Sequence, residues 1–278
     1  MKIASLVKRF NMKVDLHNHT YLCKHALGIM EDYVQKAIDE KIDVFGFSDH
    51  NPMHLDQRHR MPHHHKKDYI KMYSDVKKQF DKEIKLLFAY EFDYLDYGMN
   101  TELLNEDIDY AIGSVHFIKD FIVDDPKMIE AYSKRIEIFK SKDADVLWED
   151  YFNQIKNMAN TGLFNIVGHM DLVKLLTVEK PRRDTRLIAK EALKAIKKSG
   201  MSVEINAAGL RKSANETYPS KELLEEIYSF DIPITFSSDA HSVEHIGYKK
   251  DFCEDLAKDI GFKTCIYYEK KEKIIVDF

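Results

Sequence analysis

Short apolar runs alternate with longer amphipathic segments along almost the whole chain. The short runs are four to eight residues long and rich in β-branched and aromatic residues, which is typical of buried strands. They cover residues 14–17, 43–48, 84–91, 109–115, 165–169, 203–206, 233–238 and 263–268. The sequence therefore predicts strands that are separated, in most cases, by a segment of helical length.

The longer segments carry apolar residues three to four positions apart, which is the period of an α-helix. Clear examples are 30–40, 145–161, 184–199 and 220–230. Gly162 and Gly200 stand where C-caps are expected, and Asp184 and Ser220 where N-caps are expected. The stretch 117–162 has room for two successive helices between strands, so we expect an elaboration of the fold there.

Strands that alternate with helices pair in parallel through right-handed crossovers. No linker rich in Gly, Ser or Pro and no internal repeat divides the seven or eight units. We therefore predict one domain over 1–278, built as a closed or nearly closed α/β barrel, with 1–11 as a candidate N-terminal extension.

The composition indicates a globular protein with no general affinity for polyanions. Apolar residues make up 44% of the 278 residues, charged residues make up 32%, and the net charge is −5. Such a balance gives no cationic field to attract nucleic acid or a membrane surface. No apolar run approaches the roughly 20 residues needed to cross a bilayer, and 1–10 is too short for a signal peptide. Three scattered cysteines argue against a disulfide framework, so we expect a cytoplasmic protein.

Polar side chains end each of the first seven predicted strands. In a parallel α/β barrel these carboxyl ends converge on one axis, and chemistry takes place there. The ends are 15–19, 48–50, 91, 114–116, 168–171, 204–206 and 238–241, and they hold many of the 13 histidines. His17 and His19 share one face of a strand, so both imidazoles can reach one ion. The pattern predicts a multinuclear metal centre at the carboxyl ends.

The strand ends carry a set of ordered motifs. They are His17-x-His19-Thr20 with His25, SDH at 48–50, Glu91, GSVHF at 113–117, GHMDL at 168–172, EINAAGLRK at 204–212 and SSDAH at 237–241. This set resembles the motifs of the polymerase and histidinol phosphatase (PHP) superfamily, and most closely those of its monofunctional histidinol-phosphate phosphatases. The similarity covers roughly 12–248. The resemblance implies a distorted TIM-like (β/α)7 barrel of parallel strands.

The resemblance also implies three divalent ions. Zn, Mn and Fe are all suited to a site built of histidines and carboxylates. The implied ligands are His17, His19, Glu91 and Asp239 for one ion, Glu91, His116 and His169 for a second, and His25, His50 and His241 for a third. All nine positions carry a metal-binding residue. Glu91, Asp239 and His241 are the candidate catalytic residues.

The implied activity is hydrolysis of L-histidinol phosphate to L-histidinol and phosphate, a step of histidine biosynthesis. Two ions about 3.5–4 Å apart lower the pKa of a shared water and stabilise charge on the attacking and leaving oxygens. In this mechanism a metal-bridging hydroxide attacks phosphorus in line. The residues themselves indicate a polymetal hydrolase and leave three alternatives open. The protein could hydrolyse another small phosphomonoester, it could be a barrel amidohydrolase, or it could bind metal without catalysis.

Cationic residues near the predicted site are candidates for binding the phosphate. Arg211 is the strongest, because it lies within the GLRK motif, and Lys174 and Arg182 are further candidates. The loop 54–67 holds five histidines and four basic residues, and it suits a lid, a proton donor or a plain polar segment. Asp15 and Asp49 precede ligand histidines and are candidates to orient an imidazole, whereas we do not expect Cys23 to bind metal.

Overall fold

The computed structural model describes residues 8–97, 99, 101–118, 121–123, 144–175 and 180–278. The strands are β1 (Lys8–Asn11), β2 (Val14–Asp15), β3 (Val44–His50), β4 (Lys85–Asp93), β5 (Tyr110–Ser114), β6 (Phe117–Ile118), β7 (Phe121–Ile122), β8 (Ile166–Val167), β9 (Ser202–Asn206), β10 (Ile234–Ser237), β11 (Thr264–Glu269) and β12 (Glu272–Asp277). The helices are α1 (Met30–Asp39), α2 (Lys66–Phe80), α3 (Ala144–Thr161), α4 (Thr185–Ser199), α5 (Lys221–Ser229) and α6 (Lys250–Ile260).

Seven parallel strands form the central sheet, in the order β10-β9-β8-β5-β4-β3-β2. Its two edges meet, because Leu16 N donates to Phe236 O at 3.1 Å and His19 N donates to Ala240 O at 3.0 Å. The sheet is therefore a nearly closed barrel, which confirms the predicted fold class.

The strands read as continuous apolar runs because they are buried on both faces, one towards the barrel interior and one towards the helices. All seven residues of β3 and all five of β9 are buried. The helices cover the barrel with one apolar stripe each; in α4 the stripe includes Ile188, Ala192 and Ile196, which are spaced at helical intervals.

The four helices predicted from periodicity are confirmed, and their ends lie within one residue of the predicted ones. The side chain of Asp184 caps α4 by accepting from Arg186 N at 3.0 Å, and Gly200 ends it with φ 77°. Ser220 precedes α5, but its side chain makes no capping hydrogen bond. Of the two helices expected in 117–162, the second is α3, and the first falls on 124–143, outside the described residues. Of the described helices, none has the combined length and apolarity that a bilayer crossing requires.

The eighth predicted strand does not continue the parallel series. It is β11, which pairs antiparallel with β12, and β12 pairs in parallel with β1 from the N-terminal segment. Lys270 and Lys271, at φ 51° and 66°, form the tight hairpin turn, which needs two positive φ angles. This three-stranded sheet lies against the amino ends of the barrel strands: Tyr268 Oη donates to Asn165 O at 2.8 Å, and Lys271 N donates to Asp109 O at 2.7 Å.

Candidate metal centre

Glu91 lies at the carboxyl end of the barrel, surrounded by imidazoles. It is 1% exposed, and in the sheet it pairs with His50 on the neighbouring strand. Its two oxygens face different groups of nitrogens. Oε1 lies 2.9 Å from His169 Nε2 and 3.4 Å from His116 Nε2. Oε2 lies 2.8 Å from His50 Nδ1, 3.3 Å from His17 Nε2 and 3.6 Å from His19 Nε2. A carboxylate in this position can bridge two cations.

The loop after β10 brings a second carboxylate and a further histidine to the same cluster. Asp239 Oδ1 lies 3.4 Å from His19 Nε2 and 3.4 Å from His241 Nδ1. The His241 ring stacks on His19 with centroids 4.0 Å apart, and its centroid lies 4.6 Å from that of His25. The structure therefore brings all nine predicted ligands into one cluster.

Local structure explains how His25, eight residues after His17, reaches the cluster. The side chain of Thr20 accepts from Leu22 N and so caps the 3-10 turn Tyr21–Cys23, which ends at Lys24 in the left-handed conformation. The chain turns back at this point, and His25 Nδ1 donates to Cys23 O at 2.9 Å. This bond orients the ring towards His241.

Triplets of ligand atoms within 4.8 Å of one another show which residues can share an ion. His17, His19 and Asp239, three members of the first predicted set, form one triplet. His50 groups with Glu91 and His116, and in another triplet with His19 and His241. His50 therefore lies between the second and third predicted sets. Cys23, which we did not expect to bind metal, forms a triplet with His25 and His241, so its thiol lies close to two candidate ligands.

Several polar atoms of the cluster are buried without a hydrogen bond to any described residue. They are His17 Nε2, both ring nitrogens of His19, His50 Nδ1, Glu91 Oε2 and His169 Nδ1. An unsatisfied buried polar group costs about 1–3 kcal/mol, so a cluster of six is unfavourable for the protein alone. Imidazole nitrogens and carboxylate oxygens are good ligands for divalent transition metals, and the donor set fits bound cations.

Carboxylates lie behind three of the candidate ligand imidazoles. Glu204 Oε2 accepts from His17 Nδ1 at 3.0 Å, and Asp93 Oδ1 accepts from His116 Nδ1 at 2.7 Å. These two hydrogen bonds fix the tautomers of His17 and His116 and leave the other nitrogen of each ring free to bind metal. Asp49 Oδ1 lies 3.6 Å from His19 Nδ1, which is beyond hydrogen-bond distance.

Electrostatics at the cluster favours added positive charge. Burial lowers the pKa of His17, but Glu204, Glu91 and Asp239 outweigh it and raise the pKa well above 6.5. When no other cation is present, His17 is therefore protonated, and its positive charge balances part of the negative charge of these carboxylates. Burial lowers the pKa of His50 and of His241 well below 6.5. These two imidazoles are therefore neutral near pH 7, which is the form that binds metal.

A cavity of about 330 Å³ opens above the cluster. Besides candidate ligands, it is lined by cationic and polar side chains that include Arg60, Arg211, Lys212, Tyr218 and His245. The cavity therefore combines a candidate metal cluster with groups that attract an anion.

Arg211 lines the cavity and also braces the chain near the cluster. Its Nη1 donates to Ser238 O at 2.8 Å and its Nη2 donates to Asp239 O at 2.5 Å. Asp239 has φ 50°, a left-handed conformation that is unfavourable for a residue with a Cβ atom. The two hydrogen bonds stabilise this turn, so Arg211 supports the position of the Asp239 carboxylate.

The other two predicted phosphate-binding residues do not line this cavity. Lys174 is largely buried, and its Nζ donates to Thr217 O at 2.6 Å and to Asp171 Oδ2 at 3.0 Å. Arg182 is exposed, and it lies three residues after the segment 176–179, which is outside the described residues.

Asp15 has a different partner from the one expected. Its oxygens accept from Ser238 N at 3.0 Å and from Ser238 Oγ at 2.6 Å, and a third bond comes from Asn18 Nδ2. Asp15 therefore connects the first and last strands of the barrel and does not orient an imidazole.

Asp93 and Arg60 were not among the predicted site residues. Asp93 follows Glu91 by two positions on β4, so both side chains share one face of the strand; this periodicity is the signal that could have found it. Arg60 comes from the His-rich loop, of which Asp56 and His59 also line the cavity. Nothing in the spacing of this loop indicates which of its residues face inwards.

Comparison with known proteins gives consistent matches. A family model described as PHP domain matches residues 15–208. A "Probable histidinol-phosphatase" of Deinococcus radiodurans is 30% identical over 265 residues, which cover 92% of this chain and 97% of that protein. The "Histidinol-phosphatase" of Bacillus subtilis is 25% identical and covers 85% of this chain and 96% of its own length.

A solved structure matches over nearly the whole length. It is the histidinol phosphate phosphatase of Lactococcus lactis subsp. lactis, a crystal structure of the complex with Zn, L-histidinol and phosphate. The TM-score is 0.74 at 19% sequence identity, and the match covers 96% of this chain and 99% of that chain. At this level of identity the likeness establishes the shared barrel fold.

Proposed function

The chain belongs to the PHP domain family, and from this we propose that it is a metal-dependent phosphomonoesterase that hydrolyses L-histidinol phosphate to L-histidinol and inorganic phosphate. The observation that carries the proposal is the position of Glu91, whose two oxygens face separate groups of imidazoles beneath a cavity lined by Arg211. The names of two relatives that align over most of their length support the choice of substrate.

Three divalent ions, of Zn, Mn or Fe, are the proposed cofactors. His17, His19, Glu91 and Asp239 would hold one, Glu91, His116 and His169 a second, and His25, His50 and His241 a third. The unsatisfied buried atoms of the cluster support this assignment. When bound, such ions lower the pKa of water and stabilise negative charge on phosphoryl oxygens, which suits a reaction as slow in water as monoester hydrolysis.

Arg211 is the proposed phosphate-binding residue. A guanidinium has five N–H donors, and the carbonyls of Ser238 and Asp239 accept from two of them. The remaining donors are available to the phosphate oxygens of a substrate in the cavity. Lys174 and Arg182 are weaker candidates, because Lys174 is held by Asp171 and Arg182 lies away from the cavity lining.

Phosphate release from L-histidinol phosphate tests the proposal, with a panel of other small phosphomonoesters measured in parallel. We expect the highest kcat/KM for L-histidinol phosphate, loss of activity on chelation, and recovery with added divalent metal. The Glu91→Gln protein, purified in the same way, controls for contaminating phosphatases. A clear preference for another monoester, or activity that survives complete removal of metal, would contradict the proposal.

A further inference from the structure

A buried ion pair joins the His-rich loop to the candidate metal centre. Arg60 is 3% exposed and Asp93 is 2% exposed. Arg60 Nε donates to Asp93 Oδ2 at 2.7 Å, and Arg60 Nη2 donates to Asp93 Oδ1 at 2.8 Å. Removing two charges from water is so costly that apolar residues of similar volume often stabilise a protein as well or better. The pair therefore suggests a role other than stability.

The ion pair continues directly to a candidate ligand. Asp93 Oδ1 also accepts from His116 Nδ1 at 2.7 Å. With its proton on Nδ1, His116 presents the lone pair of Nε2 towards Glu91 Oε1, 3.4 Å away. The orientation of the Asp93 carboxylate thus determines both the tautomer and the direction of this imidazole.

Asp93 differs from the other two carboxylates behind the ligand imidazoles. Glu204 is oriented by the barrel itself, since Oε1 accepts from His169 N at 2.7 Å and from Asn206 Nδ2 at 2.8 Å. Asp49 accepts from His50 N at 2.9 Å, also within the barrel. Among these three, Asp93 alone is bound by an arginine side chain of the described residues, and that side chain belongs to a loop.

Arg60 also fixes the loop from which it comes. Its Nη1 donates to His59 O at 3.0 Å and lies 3.9 Å from Asp56 Oδ2. One planar guanidinium therefore contacts the loop backbone and the carboxylate behind His116 at the same time. An ammonium group has no fork of fixed geometry, so it could not hold both oxygens of the Asp93 carboxylate in this bidentate pair.

We propose that Arg60 is a positioning residue that orients Asp93, and through it His116, for the cation held by Glu91, His116 and His169. The proposal rests on the metal centre of the proposed function. It does not depend on the substrate, because its test measures metal binding in the absence of substrate.

The test compares Arg60→Gln, Arg60→Lys and Asp93→Asn with the full-length wild-type protein loaded with zinc. The first measurement is the chelator concentration that removes zinc, and the second is the rise in Tm when zinc is added to the metal-free protein. Loss of a residue behind a metal ligand typically costs 10–100-fold in metal affinity. We expect a loss of about this size for one ion in Arg60→Gln and Asp93→Asn, a partial loss in Arg60→Lys, and a smaller zinc-induced rise in Tm.

Two variants serve as matched controls. Arg58 lies in the same loop with a side chain 62% exposed, so Arg58→Gln removes a loop guanidinium without touching Asp93. Asp109 accepts from Phe88 N and Lys270 N at the opposite end of the barrel, so Asp109→Asn removes a carboxylate that is hydrogen-bonded to backbone N–H groups. Both controls should retain zinc as the wild type does.

A merely structural role for the ion pair gives a different result. It would lower the Tm of the metal-free and zinc-loaded proteins equally and leave zinc retention unchanged, and this result would overturn the proposal. If Arg60→Gln does not fold, the test rests on Arg60→Lys and Asp93→Asn. Zinc retention at the wild-type level in both variants would then overturn the proposal. A substrate other than histidinol phosphate changes none of these outcomes.

Discussion

The two ends of the barrel differ in whether their buried polar groups have hydrogen-bond partners. At the amino ends, the sheet formed by β1, β12 and β11 supplies partners: Tyr268 bonds to Asn165 and Ser202, and Lys271 N to Asp109. At the carboxyl ends, five ring nitrogens and one carboxylate oxygen of five candidate ligands are buried without a hydrogen bond to any residue that the structure describes. Among the described residues, the buried polar atoms without hydrogen bonds are therefore concentrated at the carboxyl ends of the barrel.

Two carboxylates on neighbouring strands illustrate the difference. Asp109, just before β5, accepts from the backbone N–H groups of Phe88 and Lys270 and connects two sheets. Glu91, near the end of β4, faces five imidazole nitrogens, and its Oε2 makes no hydrogen bond to a described residue. Their environments indicate that stability is concentrated at the amino ends and chemistry at the carboxyl ends, as is general for parallel α/β barrels.

The largest expected effect is that of Glu91→Gln. The substitution keeps the shape of the side chain but removes the charge that faces both groups of imidazoles. We expect kcat to fall by on the order of 10²–10³-fold or more, as when one preorganised electrostatic group is removed from an active site, with the fold intact by circular dichroism. Turnover near the wild-type rate would rule out a bridging role for Glu91.

A smaller loss is expected for Arg211→Ala. Two charge-assisted hydrogen bonds to a phosphate are worth about 1.5–3 kcal/mol each, and at the lower value the loss of both should lower kcat/KM for histidinol phosphate on the order of 10²-fold. Because Arg211 also braces the Asp239 turn, zinc content should be measured in parallel. Arg211→Lys should restore part of the activity, since an ammonium cannot reproduce the fork.

Arg183 offers a control for this substitution. It forms a surface ion pair with Glu149 and its side chain is 52% exposed, so Arg183→Ala should leave kcat/KM unchanged. Full activity in Arg211→Ala would mean that phosphate is held without this guanidinium.

The smallest effect is expected at the opposite end of the barrel. Tyr268→Phe removes one hydroxyl that is buried between Asn165 and Ser202. The free energy of unfolding should fall by about 1 kcal/mol, measured by urea denaturation, while kcat and zinc content stay at wild-type values. A loss of activity or metal in this variant would contradict the claim that the amino ends contribute to stability and the carboxyl ends to chemistry.

The candidate metal ligands were easier to predict from the sequence than the residues that hold them in position. Strand ends and the period of two along a strand are local properties, so His17, His19, Glu91 and Asp239 could be named from the sequence, and the structure brings them together. The partners behind them depend on tertiary contacts. Glu204 stood at a predicted strand end but its bond to His17 spans the barrel, and Arg60 reaches Asp93 from a loop with no regular period.

The prediction of the fold had the same limit, because local patterns indicate single elements and not how those elements pair. The apolar runs and helix caps indicated the seven strands of the barrel and α4 with its ends at Asp184 and Gly200. They did not indicate that 263–268 leaves the barrel, because an apolar run of six residues has the same pattern in a parallel and an antiparallel pair. The turn into β12 uses Lys270 and Lys271 at positive φ, and lysine is not a residue that marks such a turn.

The metal content of fully active protein tests the central claim most directly. The Glu91 oxygens face different imidazoles, and Asp239, His25 and His241 extend the cluster away from Glu91. We therefore predict three divalent ions per chain, with activity lost on chelation and regained in proportion to metal. Full activity with a single tightly held ion per chain would contradict the account.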